Sequence, residues 1–206
     1  MEPRRSRSRG EFVAAATALV ETRGWGVLTM RALGEAMGIE HSIIYRHFAN
    51  KKDLIDAVLD HALTSLHDDL LGDSPRDRVV AKLIAFRQLI RKNPYLGPAM
   101  MGRRSSSDAG LRFIRAQVDL LKAMGLEGER LVSCYHALDT ITIGAAVYDY
   151  GAGSSPLGVC QTQYLALGLE TFDAAASDLD TLANLADEAF RISAYAVLDT
   201  FTAPAH

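Results

Sequence analysis

Between residues 41 and 47 the sequence reads His-Ser-Ile-Ile-Tyr-Arg-His, and five of those seven side chains donate or accept hydrogen bonds. Two imidazoles, a hydroxyl, a phenol and a guanidinium in so short a run suit phosphate oxygens and the edges of nucleic-acid bases. Bond-making chemistry is not expected of this chain. It holds no nucleophile beside a base, no Gly-rich phosphate loop and no group of residues with metal-ligand spacing. His136 and Asp139 are three apart on one helix face, a spacing common in cores. Cys134 and Cys160 stand apart from one another and from any Cys/His cluster, so neither a zinc site nor a disulfide framework is expected. No enzymatic activity, no cofactor and no metal are anticipated, and the sparse cysteines suit a reducing cytoplasm.

The elements that must carry these groups are short. Thr29 is a good cap for a helix over Met30–Met37, and Gly38 stops it. Ile39-Glu40 makes a tight turn, and His41 to Phe48 reads as a second short helix. Two helices crossing steeply need a small residue at the crossing and a residue tolerant of positive φ in the turn, and Gly34 and Gly38 fill those two places. Leu33, Met37, Ile39 and Ile44 are spaced to form the core beneath. The second helix then presents His41, Ser42, Ile43, Tyr45, Arg46 and His47 outward. A helix-turn-helix results. Before it, Phe12, Val13, Ala16, Leu19 and Val20 mark one face of a helix ending near Arg23-Gly24. After it, Asn50 caps a helix running from Lys51 to Leu70 or Leu71.

The run Leu28-Thr29-Met30-Arg31 through Tyr45-x-His47-Phe48 to Asn50-Lys51-Lys52-Asp53-Leu54 resembles the DNA-binding signature of the TetR/AcrR family over roughly residues 9–60. The resemblance implies an all-α fold. A three-helix helix-turn-helix domain over residues 1–54, with a basic arm at Arg4–Arg9, would precede a larger helical domain over 55–206. It also implies roles. Thr29, Met30 and Arg31 open the first helix of the motif, where backbone or base is touched. His41, Ser42 and Ile43 meet base edges, and Tyr45 and His47 contact phosphate. Lys51 joins a helix N-terminus in binding one phosphate. Two residues depart from the pattern. Glu40 would repel phosphate unless it meets a cytosine amine, and Ile43 offers only apolar contact, for example to a thymine methyl.

The remaining sequence is helical in pattern: about Pro75–Lys92, a short piece at Leu96–Met101, Asp108–Met124, Glu127–Tyr150, Val159–Ala176 and Leu179–Phe201, with no alternation of strand type. A cavity for a small effector is expected among these helices, drawing on His67, Phe86, Ile90, Met100, Met101, Phe113, Gln117, His136, Thr140 and Tyr148. Within the family, the blocks from Leu54 to His67 and from Phe86 to Gly102, with Gln117, are similar to the tetracycline-repressor class. In that class a histidine that binds magnesium stands where this chain has Met100, and a carboxylate of the metal shell falls at or near Tyr148. A thioether is a poor ligand for a hard cation, so magnesium–tetracycline recognition is not expected; an apolar or aromatic organic molecule is. Leu182, Leu185, Ala189, Ile192, Ala196 and Phe201 form a stripe on the last helix, suited to core or to a four-helix interface between two copies.

Charge divides along the chain in the same way. Residues 1–54 carry nine Lys/Arg against six Asp/Glu, although the whole chain has a net charge of −3. A basic head on an acidic body suggests that only the head meets a polyanion. No run of apolar residues is long enough to span a membrane, and no targeting segment is expected. These features converge on a cytoplasmic, homodimeric regulator of transcription, more specifically a repressor that binds a double-stranded DNA operator under the control of a small effector. The alternative is a helical small-molecule-binding protein that does not bind DNA.

Overall fold

The computed structural model describes residues 7–66, 72–101, 108–150, 156–175 and 177–203, with no account of the side chains of 98, 101, 147–150, 156–160 and 175. All of its regular elements are helices. The chain forms two compact units. One holds the described residues up to Leu66 together with those between Pro98 and Phe113; the other holds the rest.

The first unit opens with α1 (Arg9–Arg23), started by a capping box in which Ser8 accepts from the Glu11 N–H and the Glu11 carboxylate accepts from the Ser8 N–H. Its inward stripe is Phe12, Val13, Ala16, Leu19 and Val20. A 3₁₀ turn (Trp25–Val27) leads to α2 (Met30–Met37), α3 (His41–Ile44) and α4 (Lys51–Leu63). α1 packs on α2 and α4, and α2 packs on α3. Phe12, Leu28, Leu33, Ile44, Phe48, Leu54 and Val58 are almost wholly withdrawn from water at the centre. Phe12 and Phe48 meet edge to face with ring centres 6.3 Å apart.

Two elements are shorter than their sequence pattern suggests. α3 is a single turn, and the chain past it tightens into i→i+3 bonds, Arg46 N–H to Ile43 O and His47 N–H to Ile44 O, which bring Phe48 round into the core. α4 ends at Leu63, and the end expected at Leu70 or Leu71 lies outside the described residues. Just past Leu63 the Thr64 and Ser65 hydroxyls donate to the His61 and Ala62 carbonyls, which a continuing helix would use.

The second unit contains α5 (Pro75–Lys92), α8 (Gly128–Tyr150), α9 (Pro156–Leu167), α10 (Glu170–Ala175) and α11 (Leu179–Thr202). α6 (Leu96–Met101) and α7 (Asp108–Ala123) are shared by sequence between the two units. α5, α8 and α11 pack on one another around Val79, Val80, Leu83, Cys134, Leu138, Phe190, Ala194 and Leu198, with Leu121 and Leu126 completing the core. The single helix expected over 159–176 is two helices. Leu169 restarts the chain after Gly168 by accepting from the N–H groups of Phe172 and Asp173.

An ion-pair group joins α5 to α11. Arg87, whose side chain is only 4% exposed, lies 3.1 Å from Asp187 and donates to the Ala186 carbonyl at 2.9 Å. Its guanidinium also stands over the Phe190 ring. Arg91 pairs with the same carboxylate. At the start of α5, Asp77 accepts from the Ser74 and Tyr195 hydroxyls, which together hold its carboxyl below the usual range.

Candidate nucleic-acid interface

The surface that carries His41 to Lys51 is built on two backbone devices. Thr29 Oγ1 accepts the Ala32 N–H at 3.0 Å and starts α2, leaving Arg31 on the exposed side. Gly38 ends α2 with φ +64, and the following Ile39 N–H returns to the Gly34 carbonyl at 3.0 Å. α3 then crosses α2 at Gly34. A Cβ there would lie 3.0 Å from the Ile39 oxygen and 3.2 Å from the His41 Cα and N, so the crossing leaves room for little more than hydrogen.

With Ile44 wholly buried beneath it, α3 has its remaining sides toward solvent. His41, Ser42, Tyr45 and Arg46 are exposed, Tyr45 at 52%, and the Tyr45 and His41 rings meet edge to face with centres 6.4 Å apart. Ile43 is half-buried. His47 is too, its imidazole tilted against Phe12 at 4.9 Å, so its ring is part core and part surface. Lys51 is exposed at the first position of α4, whose start is capped by Asn50 accepting the Asp53 N–H at 3.0 Å. Arg46 and Lys51 form no ion pair among the described residues, which leaves both charges available to an outside anion.

Met30 does not share this surface. Its side chain is 6% exposed, because the first turn of α2 directs it into the head core while Thr29 and Arg31 on either side face out. Sequence reasoning also overlooked how much of the head's positive charge is internally engaged. Arg31 lies 2.9 Å from Glu35, which also raises the arginine's pKa, and Lys52 lies 2.8 Å from Asp56. Both pairs have the i,i+4 spacing that could have revealed them. Arg9 and Arg7, read as part of a basic arm, are tied to Asp53 and to the Met37 carbonyl. No local signal marks those contacts. Arg4 and Arg5 lie outside the described residues.

Residues 12–58 match the family model of bacterial regulatory proteins of the tetR family. The N-terminal head of the chain belongs to the TetR family. An HTH-type transcriptional repressor of Mycobacterium tuberculosis is 35% identical over 66 residues, which are 32% of this chain, and the chain spans about 35% of that relative's length. The class A tetracycline repressor of Escherichia coli from transposon 1721 is 27% identical over 149 residues, covering 71% of this chain and 68% of that repressor. Among solved structures, the TetR-family protein ActR of Streptomyces coelicolor in complex with actinorhodin aligns with a TM-score of 0.72 at 21% identity over 97% of this chain and 98% of that one. That last likeness is one of fold alone, and it covers the body as well as the head.

Beyond the head, the residues expected to line a cavity are divided between the two units. Gln117 is buried at 3% exposure, and its Nε2 has no hydrogen-bond partner. Ile90 is buried and Phe86 half-buried in the same unit, whereas half-buried Met100 and Phe113 belong to the first unit. His136 and Thr140 are exposed. α8 directs Cys134, Leu138 and Thr142 inward, so the positions midway between them face out, and the Thr140 hydroxyl merely donates to the His136 carbonyl. His67 and the side chains of Met101 and Tyr148 lie outside the described residues. On α11 the stripe divides. Leu182 is buried and Phe201 packs at the core margin, while Leu185, Ala189, Ile192 and Ala196 are exposed, Ile192 at 58%.

Proposed function

We propose that this chain is a homodimeric DNA-binding repressor whose operator affinity is set by a small organic effector. In this reading residues 1–54 grip double-stranded DNA, and residues 55–206 bind the effector and pair the subunits. The observation that carries it is the exposed His41–Arg46 face, seated on the glycine crossing and continued by Lys51 at the N-terminus of α4. His41, Ser42 and Ile43 read base edges, with Thr29 and Arg31 at the margin. Tyr45, Arg46, His47 and Lys51 hold phosphates, Lys51 assisted by the partial positive charge of the helix end. A single head covers only a half-site, so useful affinity requires two copies, and the exposed apolar stripe on α11 supports their pairing.

Effector control is supported by Gln117. An unpaired amide N–H₂ in an otherwise buried position costs about 1–3 kcal/mol, and a ligand carbonyl or hydroxyl would recover it. With Phe86 and Ile90 the fitting ligand is apolar or aromatic with one acceptor. It acts by binding more tightly to the body conformation in which the two heads no longer match successive grooves.

The test is a gel shift on the DNA flanking the gene, with Tyr45→Ala and Lys51→Ala beside the native protein. Each should weaken binding, and Lys51→Ala should also reduce the slope of log affinity against log salt by about one. Full binding by both variants removes the assigned surface.

A further inference from the structure

The acids of the stretch from α2 to α4 are almost all answered. Glu35 pairs with Arg31, Asp53 with Arg9 and Asp56 with Lys52, and Asp60 accepts the Ala109 N–H at 3.3 Å. Glu40 is the exception. It is exposed, it stands at the N-cap of α3 without making a side-chain capping bond, and among the described residues its carboxylate has no hydrogen bond or ion pair. A free negative charge beside His41 and Ser42 opposes the approach of any phosphate. The charge is tolerable only where the surface meets donors instead. In a major groove the donors on base edges are the N4 amine of cytosine and the N6 amine of adenine. Adenine's amine is flanked by an acceptor on each side, its own N7 and the O4 of the paired thymine, both of which repel a carboxylate, whereas cytosine's amine has an acceptor on one side only, the O6 of the paired guanine.

We propose that Glu40 is a specificity-determining residue that accepts a hydrogen bond from a cytosine N4 amine, one cytosine in each half of a two-fold operator. The proposal rests on the reading of the α3 face as the DNA-binding surface. The position fits, since residues at the start of a recognition helix are those that reach base edges. The same carboxylate then disfavours duplexes lacking that cytosine, because it would be left desolvated against phosphate or a bare acceptor.

The experiment is selection from a randomised duplex pool by the full-length native protein and by Glu40→Ala and Glu40→Gln, followed by competition with single-base variants of the selected site. Circular dichroism confirms that each variant is folded. The native protein should select a two-fold site with one invariant cytosine per half. Glu40→Ala should lose at least about tenfold of the discrimination at that pair of positions alone, and bind unrelated duplex more tightly. Glu40→Gln should move the preference there toward adenine, which an amide can pair through both its acceptor and its donor. If the native protein selects a site and Glu40→Ala prefers the same bases at every position, the Glu40 assignment is overturned while DNA reading stands. If the native protein selects no sequence, the DNA-binding reading fails and takes this assignment with it.

Discussion

Arg9 Nη2, in the first turn of α1, lies 3.0 Å from Asp53 Oδ1 in the first turn of α4, and the same guanidinium stands 4.7 Å above the centre of the Phe48 ring. Asp53 uses its other oxygen to accept the Ala49 N–H at 3.0 Å. One carboxylate thus closes the turn before α4 and fastens α1 to it, two residues from Lys51. Asp53→Ala should lower stability by about 1–2 kcal/mol and Arg9→Ala by about 1 kcal/mol, since the pair is partly exposed. Urea unfolding of the singles and the double measures this. A double variant whose loss equals the sum of the singles would show that the pair contributes no coupling.

The crossing at Gly34 makes a graded prediction. Alanine there gains about 1 kcal/mol of helix propensity, and a displacement of a few tenths of an ångström at Ile39 and His41 uses up that gain, so Gly34→Ala should be near neutral. Valine adds two methyl groups against backbone that cannot rotate away, and should cost about 2–3 kcal/mol and displace α3. Thermal melting and operator titration together check this. A Gly34→Val protein with native melting and native affinity would refute the close crossing.

Asp187 is predicted to be the most costly acid to remove. Arg87 is buried on α5 and pairs with Asp187, so Asp187→Ala takes a neutralising carboxylate from a nearly dry guanidinium. The loss should be about 2–4 kcal/mol. Arg91→Ala, which removes the more exposed partner, should cost less than half as much. Equal small losses in denaturant unfolding would show that water reaches Arg87 freely.

Cys134 lies in the core of α8, and burial pushes its thiol up to about 11 from an ordinary value of 9.0. The folded state therefore favours the protonated thiol. Its contribution to stability is fully present below about 9 and is lost as pH rises through about 11. In a Cys160→Ser background the native protein at pH 8 should resist a thiol reagent for hours and react within seconds in urea. Rapid labelling without denaturant would place the thiol at the surface.

What the sequence determined by itself was local. Thr29, Asn50 and the turn at Gly38 start and stop helices through bonds spanning three to five residues, and the residues that make those bonds are adjacent in the text. For the same reason the helix-turn-helix and most of its exposed face were legible, as was the all-helical pattern of the body. Tertiary structure alone decided what depends on distant partners. Met30 turned inward where α2 packs on α1, and Arg9 met a carboxylate 44 residues away. Arg87 met one 100 residues away. α8 has apolar residues on every side, so periodicity could not choose its inner face. Contact with α5 and α11 chose Cys134, Leu138 and Thr142, and left His136 and Thr140 outside. Burial is a property of neighbours, and the neighbours of a helix face come from elsewhere in the chain.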